Sequence, residues 1–307
     1  MKLNRNPTPQ FRLKRRLAAT LLSIGLAALV TGACSSGSSA AAPNATPLTT
    51  AGRSTTPTTA ASPTTLPAGA GDQITCMPAQ GETVTIHTAK LYIEYNAAAA
   101  DLGVHGAFDD HGWSELCVYD PNGTLLLAVN PQAQLRGLTM AGIFFESREP
   151  ILQEFTFADL AAAFPEGHYE VRGTNFDGTG LVGAANFTHN VPAKPTITAP
   201  ALAKTEETAG DSVVSTTDLV IEWDDVTETV DGRPVVITGY EIIITRLEDT
   251  DPHGYSRPIF DVHVPADRNR LPVPVEFLEP GTGYELEVLA LEESGNQTIA
   301  GGYFTTK

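Results

Sequence analysis

"LEPGTGYELEVLA", residues 278–290, carries the reading on which the fold depends. Pro280 and Gly281 make a turn. Tyr284, Leu286 and Val288 then alternate with Glu285 and Glu287, the period of two that a half-buried strand requires. A tyrosine that opens a strand directly after such a turn is the tyrosine-corner arrangement of Greek-key sandwiches, in which the phenol bonds back to the preceding loop. Working outward, "DLVIEW" (218–223) alternates Leu219, Ile221 and Trp223 on one face. "TGYEIIITR" (238–246) does the same with Tyr240, Ile242 and Ile244, and the chain closes with "GGYFTTK".

Trp223 at the end of an early strand, the "GYEI" strand, the run Leu278, Pro280, Gly281, Thr282, Tyr284, and the terminal "FTT" stand in the order found in fibronectin type III domains. Residues 193–307 resemble that family. The resemblance implies a seven-stranded sandwich that serves as a spacer or protein-binding module without catalysis. The loop 224–237, with Asp224, Asp225, Glu228 and Asp231, is acidic and reads as a solvated hairpin.

The preceding segment, 72–192, matches no family by its motifs, yet its signals are again strands and turns. "KLYIEYN" (90–96) alternates Leu91, Ile93 and Tyr95 with Tyr92 and Glu94. "SELCVYDPNGTLLLAV" (114–129) holds two β-rich runs joined by Asp120-Pro121-Asn122-Gly123, a hairpin signal. "HYEVRG" and "GLVGAANFTH" read as a closing strand pair. A short helix is expected at "TFADLAAAF" (156–164), with Thr156 as cap and Asp159 three residues on. Residues 164–188 also echo 278–305: each has an apolar residue, Pro and Gly, then Tyr opening a strand, an acidic-Gly turn, and a strand ending in Phe-Thr, so that Tyr169 corresponds to Tyr284. The expected fold class is all-β: two tandem immunoglobulin-like or fibronectin-like β-sandwiches. The Pro-rich "VPAKPTITAP" (191–200) is the joint between them.

The three cysteines divide by context. Residues 1–16 carry Lys2, Arg5, Arg12, Lys14, Arg15 and Arg16 and no acid; residues 17–30 are apolar; Thr31-Gly32-Ala33-Cys34 follows. A basic region, a short apolar region and small residues before a break describe a secretory signal. Its end resembles a bacterial lipoprotein cleavage site, which implies diacylation of Cys34 and anchorage to the cell membrane, outside the cytoplasm. Thr31 departs from that pattern, where Leu or Val is usual. Residues 1–33 are thus read as signal and 34–71 as lipid anchor and linker. The linker is nearly all Ser, Thr, Ala, Pro and Gly, too poor in apolar side chains to offset the entropy of ordering it. Cys76 and Cys117 then form an even pair in a compartment that permits oxidation, and a disulfide between them is expected. Closing a loop of about 40 residues contributes ~3–4 kcal/mol.

Six of the 19 basic residues precede Cys34 and none of the 36 acidic residues does, which leaves 13 bases against 36 acids after it. So acidic a surface repels nucleic acid and anionic phospholipid and suits solubility or binding of cations and basic proteins. No G-x-S-x-G, H-E-x-x-H, phosphate-cradling loop or C-x-x-C occurs, so no enzyme and no cofactor are expected. The densest group of chemistry-bearing residues is "DLGVHGAFDDHGW" (101–113). Asp101, His105, Asp109, Asp110 and His111 are of the types that hold Zn²⁺ or Ca²⁺. Their spacing matches no standard metal loop, and the stretch reads as a polar loop turned by Gly103, Gly106 and Gly112. A metal-dependent hydrolase using this loop is the least favoured reading. A wall-polymer-binding module would need exposed rings, for which Trp113, Tyr119 and Tyr255 are candidates. The favoured expectation is a surface-anchored lipoprotein that binds an envelope or extracellular protein. Cys34→Ser is expected to move the protein from the membrane fraction to the soluble one; unchanged detergent partitioning would refute lipid anchorage.

Overall fold

The computed structural model describes Cys76, Pro78, residues 81–248 and residues 258–307. The signal-like segment, Cys34, the Ser/Thr-rich linker, His253 and Tyr255 lie outside the described residues. The architecture is all-β, with two sandwich cores joined through a common sheet.

The first half comprises β1 (Thr83–Thr85), β2 (Thr88–Asn96), β3 (Asp101–Tyr119), β4 (Leu125–Val129), α1 (Ala133–Leu138), β5 (Met140–Glu146), α2 (Phe157–Ala163), β6 (Gly167–Asn175) and β7 (Gly180–Phe187). The order is β1-β7-β6-β3-β2, with β4 and β5 also on β3. One long strand serves two sets of neighbours. Residues 101–109 of β3 pair with β2 on one side, and residues 105–109 pair with β5 on the other. Residues 113–119 pair with β6, and 116–119 also with β4. Between them the register shifts and Gly112 has φ +148°, a conformation that L side chains rarely adopt. The bend folds the two parts over one core of Leu91, Ile93, Leu102, Val104, Trp113, Leu116, Val171 and Phe187. The Asp120–Gly123 hairpin turn forms, with Gly123 N–H donating to Asp120 O at 2.9 Å. α2 carries the capping box of Thr156 and Asp159. Cys76 is bonded to Cys117, with Cα atoms 5.7 Å apart.

The second half comprises β8 (Ile197–Ala199), β9 (Val213–Val214), β10 (Val220–Trp223), β11 (Ile237–Arg246), β12 (Ile259–Pro265), β13 (Arg270–Pro272), β14 (Gly283–Glu292) and β15 (Gln297–Thr306). A three-stranded sheet, β13-β10-β8, faces the run β15-β14-β11-β12. These are the seven strands of the expected sandwich, with β9 added beside the end of β15. The alternation seen in the sequence is realised. Tyr240, Ile242 and Ile244 of β11 and Tyr284, Leu286 and Val288 of β14 enter the core, against Ile221 and Trp223 of β10 and Leu219 just before it.

Both halves use the same tyrosine device. Tyr284 is 1% exposed and its hydroxyl accepts from Glu279 N–H at 2.9 Å. Tyr169 is fully buried and its hydroxyl donates to Pro165 O at 3.0 Å. Each ring rests on a phenylalanine near the end of the partner strand: Tyr169–Phe187 and Tyr284–Phe304 both have centroids 5.4 Å apart. Burial holds the Tyr169 phenol proton to about 12.

The halves meet where β15 pairs in parallel with β2, Gln297–Ile299 against Glu94–Asn96. Asn296, 1% exposed, fastens this joint. Its side-chain oxygen accepts from Ile93 N–H at 2.8 Å, and its amide donates to Thr188 O at 3.0 Å. Thr298 Oγ1 donates to Pro192 O at 2.6 Å. Tyr284→Phe removes the acceptor for Glu279 N–H, and a lost partner at such a part-buried group costs ~1–3 kcal/mol. A lowered urea midpoint for this variant is expected; an unchanged midpoint would show that the hydroxyl contributes nothing.

Candidate functional site

The stretch 101–113 is a strand, and this corrects its reading as a turned loop. Its glycines make room for neighbours. A Cβ at Gly103 would lie 2.7 Å from Glu149 Cγ, and one at Gly106 would lie 2.3 Å from the Phe145 ring. The strand also disperses the proposed metal ligands. An extended chain advances about 3.3 Å per residue, so Asp109, Asp110 and His111 stand about 13 Å or more from His105. Asp110 is occupied elsewhere, accepting from His87 N–H at 2.9 Å and His111 N–H at 2.7 Å. His111 is exposed and Asp109 half-buried. The set Asp101, His105, Asp109, Asp110, His111 therefore does not converge on one point.

Another group does converge. Tyr92 of β2 stands opposite His105, Glu94 opposite Gly103, and Glu146 of β5 opposite His105. By strand alternation these residues share the sheet face turned away from the Leu91–Ile93–Val104 core. That face is nevertheless covered: Glu94 is 7% exposed and His105 is 3% exposed. The segment after β5 folds back over them, with Leu102 N–H donating to Pro150 O at 3.2 Å, and brings in Glu149. His105 Nε2 lies 2.8 Å from Glu149 Oε1, and Nδ1 lies 3.8 Å from Glu94 Oε2. The Gln297 amide of β15 donates to Glu94 Oε2. The Phe144 ring meets His105 edge-on at 5.7 Å and the Tyr92 ring is tilted at 5.4 Å.

Asp101 borders this cluster. Burial, and next the charges of Glu149, Glu94 and Glu146, push its carboxyl up to about 6. The site is thus a weakly solvated pocket of negative potential with one imidazole in it. Glu94, His105 and Glu149 present ligand atoms within 4.8 Å of one another. Among the described residues two further groupings exist. Cys76, Glu115 and Cys117 have their thiols tied in the disulfide, and Glu241, Asp261 and His263 are more exposed. Neither Glu94 nor Glu149 was singled out from the sequence. Glu149 is remote in sequence from the other two, and only the Gly103 gap hinted that something must lie over β3.

A second feature lies at the β3 bend. Thr139 and Phe176 both approach Gly112, and Phe176 N–H donates to Gly112 O at 3.0 Å. Beside them Leu138 is 80% exposed and Phe176 61% exposed. Two non-glycine residues flanking this segment have positive φ, Ala133 at 47° and Thr139 at 61°. For a β-branched residue such as Thr139 this is an outlier that costs of order 1–3 kcal/mol. Trp113, in contrast, is fully buried, which corrects its place among the candidate exposed rings. Tyr119 is covered by the Arg172 guanidinium at 4.7 Å, and its hydroxyl donates to Cys76 O.

A cleft of about 510 Å³ runs along the joint, between Ile93, Phe157 and Leu160 on one side and Val230, Asp231 and Arg233 on the other. Arg233 is already engaged there with Asp231 at 2.8 Å, Asn190 Oδ1 at 2.8 Å and His189 O at 3.2 Å. Within the acidic loop 224–237, Asp231 is thus paired with the loop's own Arg233.

No protein-family model matches the chain, and no curated protein does. Solved structures do. The FN1–FN3 domains of chicken CNTN1 align at 12% identity over 73% of this chain and 65% of that one, with a TM-score of 0.27. A two-domain fibronectin type III segment of chicken tenascin aligns at 9% over 71% of this chain and 99% of that one, at 0.26. The third fibronectin III domain of human KIAA0343 aligns at 18% over 38% of this chain and 84% of that one, at 0.26. The chain spans just under two thirds of the CNTN1 segment.

Because burial and the neighbouring carboxylates make the folded protein hold the Asp101 proton more tightly than an unfolded chain does, the stabilising contribution of that proton is full below the ordinary carboxylate range and is lost as pH rises through about 6. In chelator-treated protein, Asp101→Asn is expected to melt progressively higher than wild type as pH is raised from about 4 to about 7.5. A difference that does not change with pH would contradict the placement of Asp101 in a negative field.

Proposed function

We propose that the protein is a lipid-anchored, extracytoplasmic binding or scaffold module that offers the α1–Phe176 tip to a protein partner of the cell envelope. The observation that carries the reading is the tip itself. Leu138 and Phe176 stand 80% and 61% exposed, beside Thr139, whose φ of 61° is strained. Large apolar side chains grouped at the surface mark interaction sites, and backbone strain persists where function maintains it. The rest of the molecule suits such a role. The shared sheet and the Asn296 joint make the two sandwiches a stiff support. The lipid at Cys34 and the Ser/Thr-rich linker would hold that support at the membrane surface. The Cys76–Cys117 disulfide accords with an oxidising compartment. The excess of acids favours a partner that is neutral or basic around its apolar contact.

The test is crosslinking on intact cells with the lipidated protein, followed by mass spectrometry of what is captured. Wild type is expected to yield a reproducible protein, and the pair Leu138→Asp with Phe176→Asp is expected to lose it while keeping the wild-type melting temperature. Retention of the same partner by that pair would remove the tip as the binding surface. Recovery of wall glycan without protein would overturn the protein-binding reading in favour of a wall-polymer module.

A further inference from the structure

We infer that the outer edge of β12 is a self-association surface, on which a second copy of this chain adds its own β12 in antiparallel register centred on Val262. The edge belongs to the second half of the molecule and the α1–Phe176 tip to the first, so the inference does not rest on the tip.

β12 (Ile259–Pro265) ends the sheet order, and its seven residues pair with β11 on one side. Among the described residues no strand pairs with its other side. Alternate residues of such a strand turn N–H and C=O away from the sheet, where a further strand can take them. Edges that resist addition are broken by bulges, carry proline or lysine, or aim a charge inward. β12 runs against β11 without a register shift, contains no lysine, and has proline only at its last position. Its charges, Asp261 and His263, stand on the exposed face. Phe260, Val262 and Val264 alternate with them and are half-buried, with Phe260 and Val264 packed on the core.

The order of side chains selects the occupant. Two copies related by a two-fold axis meet in an isologous contact, in which every pairing occurs twice. An antiparallel pair keeps the side chains of one face together, so only residues of like face can stand opposite. Centred on Val262, the strand Ile-Phe-Asp-Val-His-Val-Pro matches itself along its whole length. Ile259 meets Pro265, Phe260 meets Val264, Asp261 meets His263, and Val262 meets Val262. Apolar groups thus face apolar groups, and each carboxylate faces an imidazole, pairs of the kind that stabilise adjoining strands. The neighbouring registers fail: centring on Asp261 sets two carboxylates opposite each other, and centring on His263 sets two imidazoles. Ile259, 50% exposed, and the His263 side chain, 66% exposed, would gain cover. Within its own chain His263 Nε2 lies 3.6 Å from Glu241 Oε1, and the Asp261 of the second copy would approach from the open side.

The full chain is purified in detergent and followed by sedimentation equilibrium at matched solvent density. A monomer–dimer equilibrium that shifts with protein concentration is expected. Val262→Cys is expected to form an intermolecular disulfide on mild oxidation, because Cα atoms opposite each other in a ladder stand about 4.5–5.5 Å apart, within reach of that bond. Ile259→Cys, on the same strand, should not exceed the wild-type background, since the two copies of that position would lie about 20 Å apart. Asp261→Lys alone and His263→Asp alone each break the cross-strand pair and should weaken association by about threefold or more, while the two together should restore it. Should His263→Asp disturb folding through Glu241, Asp261→Lys decides. A monomer at every concentration, crosslinking of Val262→Cys no greater than that of Ile259→Cys, or no recovery in the folded combined variant would overturn the proposal. So would Val262→Cys that on intact cells links only to a different protein, which would make the edge a site for strand addition by another chain.

Discussion

The edge of β2 that faces away from β3 is occupied by β15 over Glu94–Asn96, and Asn296 extends that contact beyond the ladder. An open strand edge presents unpaired N–H and C=O groups and invites association with other chains. Here the edge is closed from within the same chain. Three paired residues are a short ladder, so the side chain of Asn296 matters. Its oxygen takes the next N–H of β2, and its nitrogen bonds Thr188 at the exit from β7. Thr298 then holds Pro192 in the connecting segment. Tandem domains ordinarily move against each other unless their interface is extensive. A common sheet and a connection bonded at both ends oppose such motion.

Each half solves its own packing in the same way. A tyrosine opening a strand is buried, its ring stacks or tilts on the phenylalanine near the end of the neighbouring strand, and its hydroxyl satisfies a backbone group a few residues upstream. A phenol can be buried at this position because its polar tip finds a partner that the turn would otherwise leave wanting. In Tyr169 the hydroxyl donates and in Tyr284 it accepts. The device is therefore shared in geometry and differs in the direction of the bond.

Joining the halves has an electrostatic consequence. Strand alternation places Glu94 on the outer face of β2, where solvent would serve it. Pairing with β15 puts Gln297 directly opposite, and the return of the 147–152 segment covers the remaining side. Glu94, His105, Glu149 and Asp101 are thereby crowded into a poorly solvated pocket. Burial, and next the charges of Glu149 and Glu94, push the Asp101 carboxyl up in that setting. The outer face of one sheet has become an interior, and it kept its polar residues.

The local signals were legible in the sequence because they depend on neighbours two to four residues away. The alternation of Tyr284, Leu286 and Val288, the Asp120–Gly123 turn, the Thr156 cap and the order of strands in 193–307 all belong to this class, and the all-β class follows from them. The 101–113 stretch was misread for a related reason. Gly103 and Gly106 imitate turn residues, whereas their cause is the bulk of Glu149 and Phe145, which arrive from elsewhere in the chain; only Gly112 marks a bend. Likewise the density of Asp and His along that stretch suggested a ligand set, but an extended strand keeps residues close in sequence far apart in space. The grouping of Glu94, His105 and Glu149, the burial of Trp113 and the closure of the β2 edge by β15 were decided only by tertiary structure. Each depends on which strands become neighbours, and periodicity within a strand fixes which face a residue takes without fixing what covers that face.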